Sequence, residues 1–244
     1  MSQLGQRIVF GTGKYFEADD IVVTPPGPIQ SFYAIEDDNA TRIDGRSELT
    51  EQRILSEFVQ TGTEVRVTTD TAMATDSRGW YLDLVSPANG FEGERVVSQP
   101  VLYEGLVIFS TLVPSSDPCE SGGSSWVMSL DLSGGGRPPF AVFDVNNDGV
   151  IDDDDLVLDP EGNPVPPSGR RSTVGIIGTP RIVRGTPPPP CEEEPGVECP
   201  PPPPNPECPL ATGYLPGSSG SIEELLLSGG LCSGGRTSWR QLWP

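Results

Sequence analysis

Histidine is absent from the 244-residue sequence. Its absence excludes Ser-His-Asp and Cys-His nucleophile systems, histidine-ligated zinc and a haem held by a proximal histidine. Basic residues are also scarce: 15 Lys and Arg stand against 35 Asp and Glu, for a net charge of -20. Such a charge repels phosphate backbones and anionic lipid, so we expect no nucleic-acid partner and no direct membrane insertion.

Long apolar stretches are missing too. No segment reaches the roughly 18 apolar residues that a membrane helix needs, and the longest apolar-rich run, residues 101–113, is interrupted by Glu104 and Gly105. The N-terminus has no charged segment followed by an apolar one, so we expect this chain to carry no signal peptide.

The cysteines lie in segments rich in glycine and proline, and none belongs to a CxxC pair; they are Cys119, Cys191, Cys199, Cys208 and Cys232. This placement favours disulfides formed in an oxidising compartment over zinc binding or redox chemistry. Because their number is odd, one cysteine is free or has its partner outside this chain.

Glycine (29) and proline (28) are abundant and separate short runs rich in β-branched and aromatic residues. Such runs predict strands bounded by turns, and hence an all-β fold. We predict strands at residues 6–10, 29–35, 64–68, 80–84, 95–97, 106–112, 125–130 and 140–143. Residues 47–59 are predicted to form a helix with Ser47 as its N-cap, although the apolar spacing is imperfect.

A weak internal repeat suggests the architecture. Residues 8–12 (IVFGT) are echoed by residues 107–111 (VIFST), and residues 31–37 (SFYAIED) by residues 125–131 (SWVMSLD). Strands that recur with one chemistry are typical of β-propellers, in which every blade repeats a four-stranded sheet. The alternative is that any two core strands look alike.

Composition divides the chain into three parts. Residues 1–184 are the predicted partial β-propeller. Residues 185–221 contain two proline runs, 187–190 and 200–204, and predict a Pro/Gly/Cys-rich insertion or linker of polyproline character. Residues 222–244 predict a C-terminal closing segment that ends in a strand pattern at residues 237–243.

Residues 144–155 (DVNNDGVIDDDD) match the twelve-residue calcium loop. The predicted ligands, at loop positions 1, 3, 5, 7, 9 and 12, are Asp144, Asn146, Asp148, Val150 through its carbonyl, Asp152 and Asp155. Gly149 at position 6 permits the sharp turn, and Ile151 at position 8 is the apolar anchor. The alternative, a solvated turn, must explain six aspartates in twelve residues, whose mutual repulsion a cation would offset.

Asp155 departs from the usual pattern, which has a bidentate glutamate at position 12. The shorter side chain predicts binding in the weaker range, about 10⁻⁵ to 10⁻³ M, which suits extracellular calcium. The residues before the loop predict a strand, so no entering helix is expected. We therefore predict an EF-hand-like loop on a β scaffold, acting as a structural clip or a ligand-gated loop.

Other candidate sites are weaker. Ile8 and Tyr15 stand where a phosphate-binding loop around Lys14 would need Gly and Ser or Thr. The acidic residues at 19–20 and 36–38 are interpreted as solvated turn residues. The tryptophans, at positions 80, 126, 239 and 243, are interpreted as core rather than as a platform for a sugar. We predict no catalytic or cofactor-binding residue, and Ca²⁺ as the cofactor.

Several short motifs occur in one order: residues 10–15, 30–35, 79–84, 93–97 and 109–119, the calcium loop, and residues 238–242. In these motifs the sequence resembles the C-terminal β-propeller region of PilY-type type IV pilus tip-associated adhesins and assembly proteins. The resemblance runs from about residue 5 to 184 and resumes at 236–243. It implies that this chain holds only the last blades of the propeller, since the proteins of this family are far longer.

The resemblance also implies a function. The PilY-type family implies a calcium-binding protein of the pilus tip or outer membrane that is exported through the periplasm. Such a protein would support pilus biogenesis, twitching motility and adhesion. The implied partners are the type IV pilus, with its minor pilins and tip complex, and host or surface ligands. No enzymatic activity is expected.

Two alternatives stay open. One is a quinoprotein-like propeller enzyme in which calcium holds the cofactor; against it, the loop supplies a full ligand set of its own. The other is a dockerin-like calcium-dependent assembly module, which the loop itself resembles. Against that module, there is one loop with no helical pattern after it.

Overall fold

The computed structural model describes residues 6–38, 40–117, 122–185 and 210–228, which consist almost entirely of strands and turns. The strands, β1 to β17 in chain order, are Gln6–Gly11, Ser31–Asp37, Thr50–Gln52, Ile54–Gln60, Thr63–Thr68, Gly79–Asp83, Val101–Tyr103, Leu106–Ser110, Val113–Pro114, Gly123–Ser124, Trp126–Asp131, Val157–Leu158, Pro164–Val165, Gly169–Arg171, Arg181–Arg184, Ala211–Pro216 and Ile222–Leu227. The helical elements described are short 3₁₀ turns, at Ala18–Ile21, Arg46–Glu48 and Asp153–Asp155. In these ranges no helix has the length and apolar character that crossing a membrane requires. The predicted all-β class is confirmed.

Three sheets contain most of the strands. The first sheet has the strand order β1-β2-β6-β3, the central sheet β4-β5-β14-β11-β8-β7, and the third sheet β15-β16-β17. Neighbouring strands in these sheets are antiparallel, except that β3 runs parallel to β6. Arg53 alone separates β3 from β4, so the chain passes directly from the first sheet into the central sheet.

The first and central sheets pack face to face. Phe32, Trp80 and Leu82 of the first sheet form one buried cluster with Phe109 and Trp126 of the central sheet. The rings of Phe32 and Phe109 are stacked, with their centroids 3.8 Å apart and their planes 5° from parallel. Aromatic side chains bury large apolar areas and gain further from such stacking, so this pair is central to the packing of the two sheets.

We expect Phe109→Leu to lower the free energy of unfolding by about 1–2 kcal/mol, because the change removes the stacked ring and leaves part of its space unfilled. Phe16→Leu is the matched control, since the Phe16 side chain is 88% exposed. Urea denaturation of both variants measures the difference. Equal stabilities would contradict this packing.

The opposite face of the central sheet is covered as well. Strand β8 is buried at every position, because its side chains alternate between two clusters: Phe109 contacts the first sheet, and Ile108 belongs to a second cluster. The second cluster includes Leu225 of the third sheet. It also includes Phe143 and Val157, so the segment between them, which holds the predicted calcium loop, is anchored in the core on both sides.

Most strand predictions are confirmed, and two are wrong. β1, β2, β5, β6, β8 and β11 lie where strands are predicted. Residues 95–97 and 140–143 are not strands; they contribute only isolated bridges, Arg95 with Leu112 and Phe143 with Leu227. These segments are therefore connections: Phe143 meets β17 at one point, and Arg95 meets Leu112, which lies between β8 and β9.

The helix predicted at residues 47–59 is also wrong. These residues form a 3₁₀ turn followed by β3 and β4, and β4 pairs with β5 through a tight turn at Thr61 and Gly62. Both turn residues have positive φ, 49° and 85°, as a two-residue hairpin turn requires. Ile54 and Phe58 suit a strand better than a helix, and pairing with the adjacent β5 overrides a helical spacing that is weak.

The internal repeat corresponds to two antiparallel strand pairs. Residues 8–12 and 31–37 form β1 and β2 in the first sheet, whereas residues 107–111 and 125–131 fall on β8 and β11 of the central sheet. The similar sequences thus build equivalent pairs in two successive sheets.

Parts of the remaining predictions fall outside the described residues. All five cysteines, both proline runs, Trp239 and Trp243 lie there. Within residues 185–221, the described end forms β16, which pairs with β15 and β17. The domain boundaries stay predictions.

Candidate functional site

The predicted calcium loop, residues 144–155, lies between the Phe143 bridge and β12. Its first half is folded around its own amides. Gly149 N–H donates to Asp144 Oδ2 at 3.0 Å, and Asp148 N–H donates to Asn146 Oδ1 at 2.9 Å. Val150 N–H donates to Asp148 Oδ1 at 2.8 Å. The side-chain oxygens at positions 1, 3 and 5 are therefore held against one tight turn.

Gly149 is the residue on which this turn depends. Its φ is +86°, in the left-handed region that glycine enters without strain. Position 6 of the loop therefore has the left-handed conformation for which the calcium-loop pattern requires glycine.

Asp155 closes the loop at its far end. It is fully buried, and its carboxylate accepts hydrogen bonds from the amides of Val145 at 2.7 Å, Asn146 at 3.3 Å and Asp152 at 3.1 Å. Burial raises the pKa of the Asp155 carboxyl, and these hydrogen bonds oppose that shift. Position 12 is thus joined to positions 2, 3 and 9, which brings the two ends of the loop together.

Asp144 carries an unsatisfied oxygen. The residue is only 6% exposed, and while Oδ2 accepts from Gly149, the buried Oδ1 has no hydrogen-bond partner. A buried carboxylate oxygen without a donor is unfavourable and uncommon, and a cation is one group that would satisfy it. This oxygen belongs to position 1, the first predicted ligand.

The six predicted ligands lie in one loop, but their oxygen atoms are not arranged around a single point. Across residues 6–38, 40–117, 122–185 and 210–228, no group of three or more His, Cys, Asp or Glu side chains is placed to hold a metal ion. Asp148 and Asp152 are exposed, whereas Asp144 and Asp155 are buried. The carboxylates bond loop amides instead of converging, and Asn146 and the Val150 carbonyl would have to complete the set. The calcium site therefore stays a prediction.

The other acidic candidates serve local structure, but not all are solvated turn residues as predicted: Asp20 is buried, and residues 36 and 37 lie on β2. Asp20 accepts from the amides of Phe16 at 2.9 Å and Glu17 at 3.0 Å, and these hydrogen bonds lower the pKa of its carboxyl. Lys14 pairs with Glu17 at 2.6 Å, on the same turn. Asp38 accepts from residues 40 and 41 in another turn. Of the tryptophans, Trp80 and Trp126 are buried core residues, as predicted.

Sequence reasoning missed a buried charge cluster in the central sheet. Arg66 is fully buried; its Nη1 lies 2.8 Å from Glu94 Oε1 and its Nη2 lies 2.6 Å from Glu57 Oε1. The guanidinium carbon lies 4.1 Å from the centroid of the Trp126 ring. Ser86 Oγ donates to the other oxygen of Glu57 at 2.5 Å. The charged groups of this cluster are paired with one another inside the protein, so we interpret the cluster as structural.

It also missed the residues that contact the calcium loop from outside. Thr61 lies in the turn between β4 and β5, Thr63 begins β5, and Arg170 lies on β14. All three donate to backbone carbonyls of the loop. Thr61 and Val145 are 84 residues apart in the chain. A motif read along the sequence carries no signal for contacts of that range.

Comparison with known proteins gives a consistent result. A scan against models of protein families finds no match. Among curated proteins, the chain is 33% identical over 183 residues to a "Type IV pilus biogenesis factor PilY1 homolog" of Xylella fastidiosa, covering 74% of this chain and 11% of that protein. It is 30% identical over 167 residues to the "Type IV pilus biogenesis factor PilY1" of Pseudomonas aeruginosa, covering 61% of this chain and 14% of that protein.

A solved structure agrees. The PilY1 C-terminal domain of Pseudomonas aeruginosa matches with a TM-score of 0.69 and 22% sequence identity, over 93% of this chain and 42% of that chain. The chain is a relative of PilY1. The resemblance to PilY-type proteins is thereby confirmed, and the fold is that of part of the PilY1 C-terminal domain. The chain spans only 11% and 14% of the length of the two PilY1 proteins named above.

Proposed function

We propose that this chain is a calcium-binding, non-enzymatic part of a PilY1-type protein that supports type IV pilus biogenesis. The similarity to proteins named as pilus biogenesis factors supports the pilus role. The observation that carries calcium binding is the buried, unpartnered Oδ1 of Asp144 at the first position of a calcium-loop sequence.

The chemistry of the donor set supports calcium over other metals. The predicted ligands are oxygen atoms: the side chains of Asp144, Asn146, Asp148, Asp152 and Asp155, and the carbonyl of Val150. Hard oxygen donors suit calcium or magnesium, and zinc or copper would favour nitrogen or sulfur. Bound calcium would supply charge compensation for the aspartates and a cross-link between the two ends of the loop.

The sheet arrangement supports a partial β-propeller. The repeated strand pairs, β1 with β2 and β8 with β11, lie in two sheets that pack face to face, as the sheets of successive blades do. In this proposal the EF-hand-like loop lies in the connection between β11 and β14 of the central sheet, and residues 185–221 are the Pro/Gly/Cys-rich insertion or linker.

Adhesion, twitching motility and a place at the cell surface complete the proposal. They follow from the PilY-type resemblance, together with the pilus tip complex and a host or surface ligand as partners. We assign no catalysis: outside the loop, Asp20 accepts hydrogen bonds within a turn and Glu57 pairs with Arg66. In this reading the loop is a clip that calcium stabilises.

Calcium titration of the purified chain by calorimetry tests the site. We expect one site with a Kd of about 10⁻⁵ to 10⁻³ M. At a calcium concentration 100-fold above Kd, binding adds about 2.7 kcal/mol to the free energy of unfolding, so melting in calcium occurs at higher temperature than melting in EGTA.

Magnesium at the same concentration is the control, and we expect a smaller rise in melting temperature because magnesium demands tighter octahedral geometry. The calcium assignment would be overturned if the chain melts cooperatively, calcium leaves the melting temperature unchanged, and the titration releases or absorbs no heat.

A further inference from the structure

The start of the calcium loop is held by side chains from outside it. Thr61 Oγ1 and Thr63 Oγ1 both donate to the carbonyl of Val145, at 3.0 Å and 2.9 Å. Arg170 Nη1 donates to the carbonyl of Asp144 at 2.9 Å. The backbone at loop positions 1 and 2 is therefore fixed by three donors, which we call the tether: Thr61, Thr63 and Arg170.

Asn147, at loop position 4, is joined to the same residues. Its Nδ2 donates to Thr63 Oγ1 at 3.1 Å, and its Oδ1 accepts from Arg170 Nη2 at 3.1 Å. Its φ is +59°, a left-handed conformation that asparagine tolerates better than most residues. A residue that is not a predicted ligand thus connects the loop to both halves of the tether.

Two residues of the tether lie on paired strands of the central sheet. Arg170 pairs with Val65 of β5 across the central sheet, and Thr63 begins β5. Thr61 holds a φ of +49°, which is strained for a β-branched residue. Such strain persists where surrounding contacts determine the conformation, and the bond from Thr61 to Val145 is one such contact.

Electrostatics gives the tether a second effect. Six aspartates within residues 144–155 repel one another when no cation is bound. Arg170 places a positive charge at the first carbonyl of the loop, and loop amides donate to Asp144 Oδ2 and to both carboxylate oxygens of Asp155.

We propose that Thr61, Thr63 and Arg170 are positioning residues that hold the loop in its closed shape before calcium binds. Calcium then binds a loop whose backbone is already folded, and the exposed side chains of Asp148 and Asp152 move to complete its ligand set. This inference rests on the proposed calcium site and specifies how that site responds to the ion.

Hydrogen exchange of the loop amides, measured on the whole chain in EGTA and in saturating calcium, tests the proposal. The amides of Val145, Gly149 and Asp152 are the reporters, because each donates to a loop carboxylate. In the unmodified chain we expect them to be protected in EGTA already. In Arg170→Gln we expect that protection to fall about 10-fold or more in EGTA and calcium affinity to fall about 10- to 100-fold, as for outer partners of metal ligands.

Two further variants separate positioning from general stability. Arg170→Lys keeps the charge and one donor, so we expect part of the loop protection to return. Arg171→Gln is the matched control: Arg171 is the next residue on β14, but it donates to Ser124 and lies over the Trp126 ring. We expect the loop amides in Arg171→Gln to exchange as in the unmodified chain.

Either of two results would overturn the proposal. One is loop amides that exchange freely in EGTA in the unmodified chain and become protected only with calcium. The other is an Arg170→Gln variant that melts at lower temperature but keeps its loop protection and calcium affinity. If the unmodified chain binds no calcium, the proposed function fails, and exchange in EGTA still decides whether the tether holds the loop.

Discussion

Arg66→Leu is expected to lower the free energy of unfolding by about 3–5 kcal/mol, a large fraction of the stability of an ordinary domain. The substitution leaves Glu57 and Glu94 as buried carboxylates without their cation. It also removes the guanidinium that lies 4.1 Å from the centre of the Trp126 ring. Chemical denaturation measured by the fluorescence of the buried tryptophans gives the loss directly.

Arg53→Leu is the control for that experiment. Arg53 also pairs with a glutamate, Glu51, at 2.6 Å, but the Arg53 side chain is 68% exposed. An exposed pair contributes little, so we expect a change within about 0.5 kcal/mol. A loss below about 1 kcal/mol for Arg66→Leu would show that the buried cluster is not what holds this part of the sheet.

A triple variant distinguishes unpaired charge from lost packing. Combining Arg66→Leu with Glu57→Gln and Glu94→Gln removes the two carboxylates that the single substitution leaves unpaired. Part of the stability should return, because the largest penalty in the single variant is uncompensated buried charge. If the triple variant is no more stable than Arg66→Leu, the loss arises from packing against Trp126.

Asp144→Asn is expected to weaken calcium binding on the order of 100-fold or more, because affinity in such loops spans several decades with the charge and number of the ligands. Asparagine has nearly the shape of aspartate and can still accept the hydrogen bond from Gly149. The loop should therefore keep its turn while it loses the negative charge on the unpartnered oxygen. Calorimetric titration reports the change.

Asp153→Asn is the matched control for this substitution. Asp153 lies in the same loop, is exposed, and is not a predicted ligand. Both variants remove one negative charge, so a general electrostatic effect would weaken calcium binding equally in the two. A large loss confined to Asp144→Asn is the expected result.

The same pair of substitutions tests the pilus role in cells. Introduced into the chromosomal gene, Asp144→Asn should reduce surface pili and twitching, and Asp153→Asn should leave both unchanged. Normal piliation in a strain whose protein has lost calcium binding would separate calcium from pilus biogenesis.

The sequence predicted those features that are encoded locally. The strands that contain Phe32, Phe109 and Trp126 are five to seven residues long and rich in apolar and aromatic side chains, and they fold as predicted. The predicted calcium loop is a contiguous pattern of twelve residues, so its turn at Gly149 was also predictable. Both depend on neighbours in the chain alone.

Features that depend on distant pairing were not predictable. Residues 47–59 have a helical spacing, yet β5 lies two residues beyond β4 and its pairing decides the outcome. Arg66 sits between two valines of β5, and a strand pattern by itself does not show that Glu94 will meet it. The tether has the same character, since Thr63 reaches a carbonyl 82 residues further along the chain.

The single residue between β3 and β4 has a mechanical consequence. The chain passes directly from β3 of the first sheet into β4 of the central sheet at Arg53. A force that separates the two sheets therefore acts on the strands of both. A pull along β4 is resisted by its antiparallel ladder with β5, whose hydrogen bonds lie across the strands and must shear together. Tension applied to either sheet would therefore pass to the other through this single covalent connection.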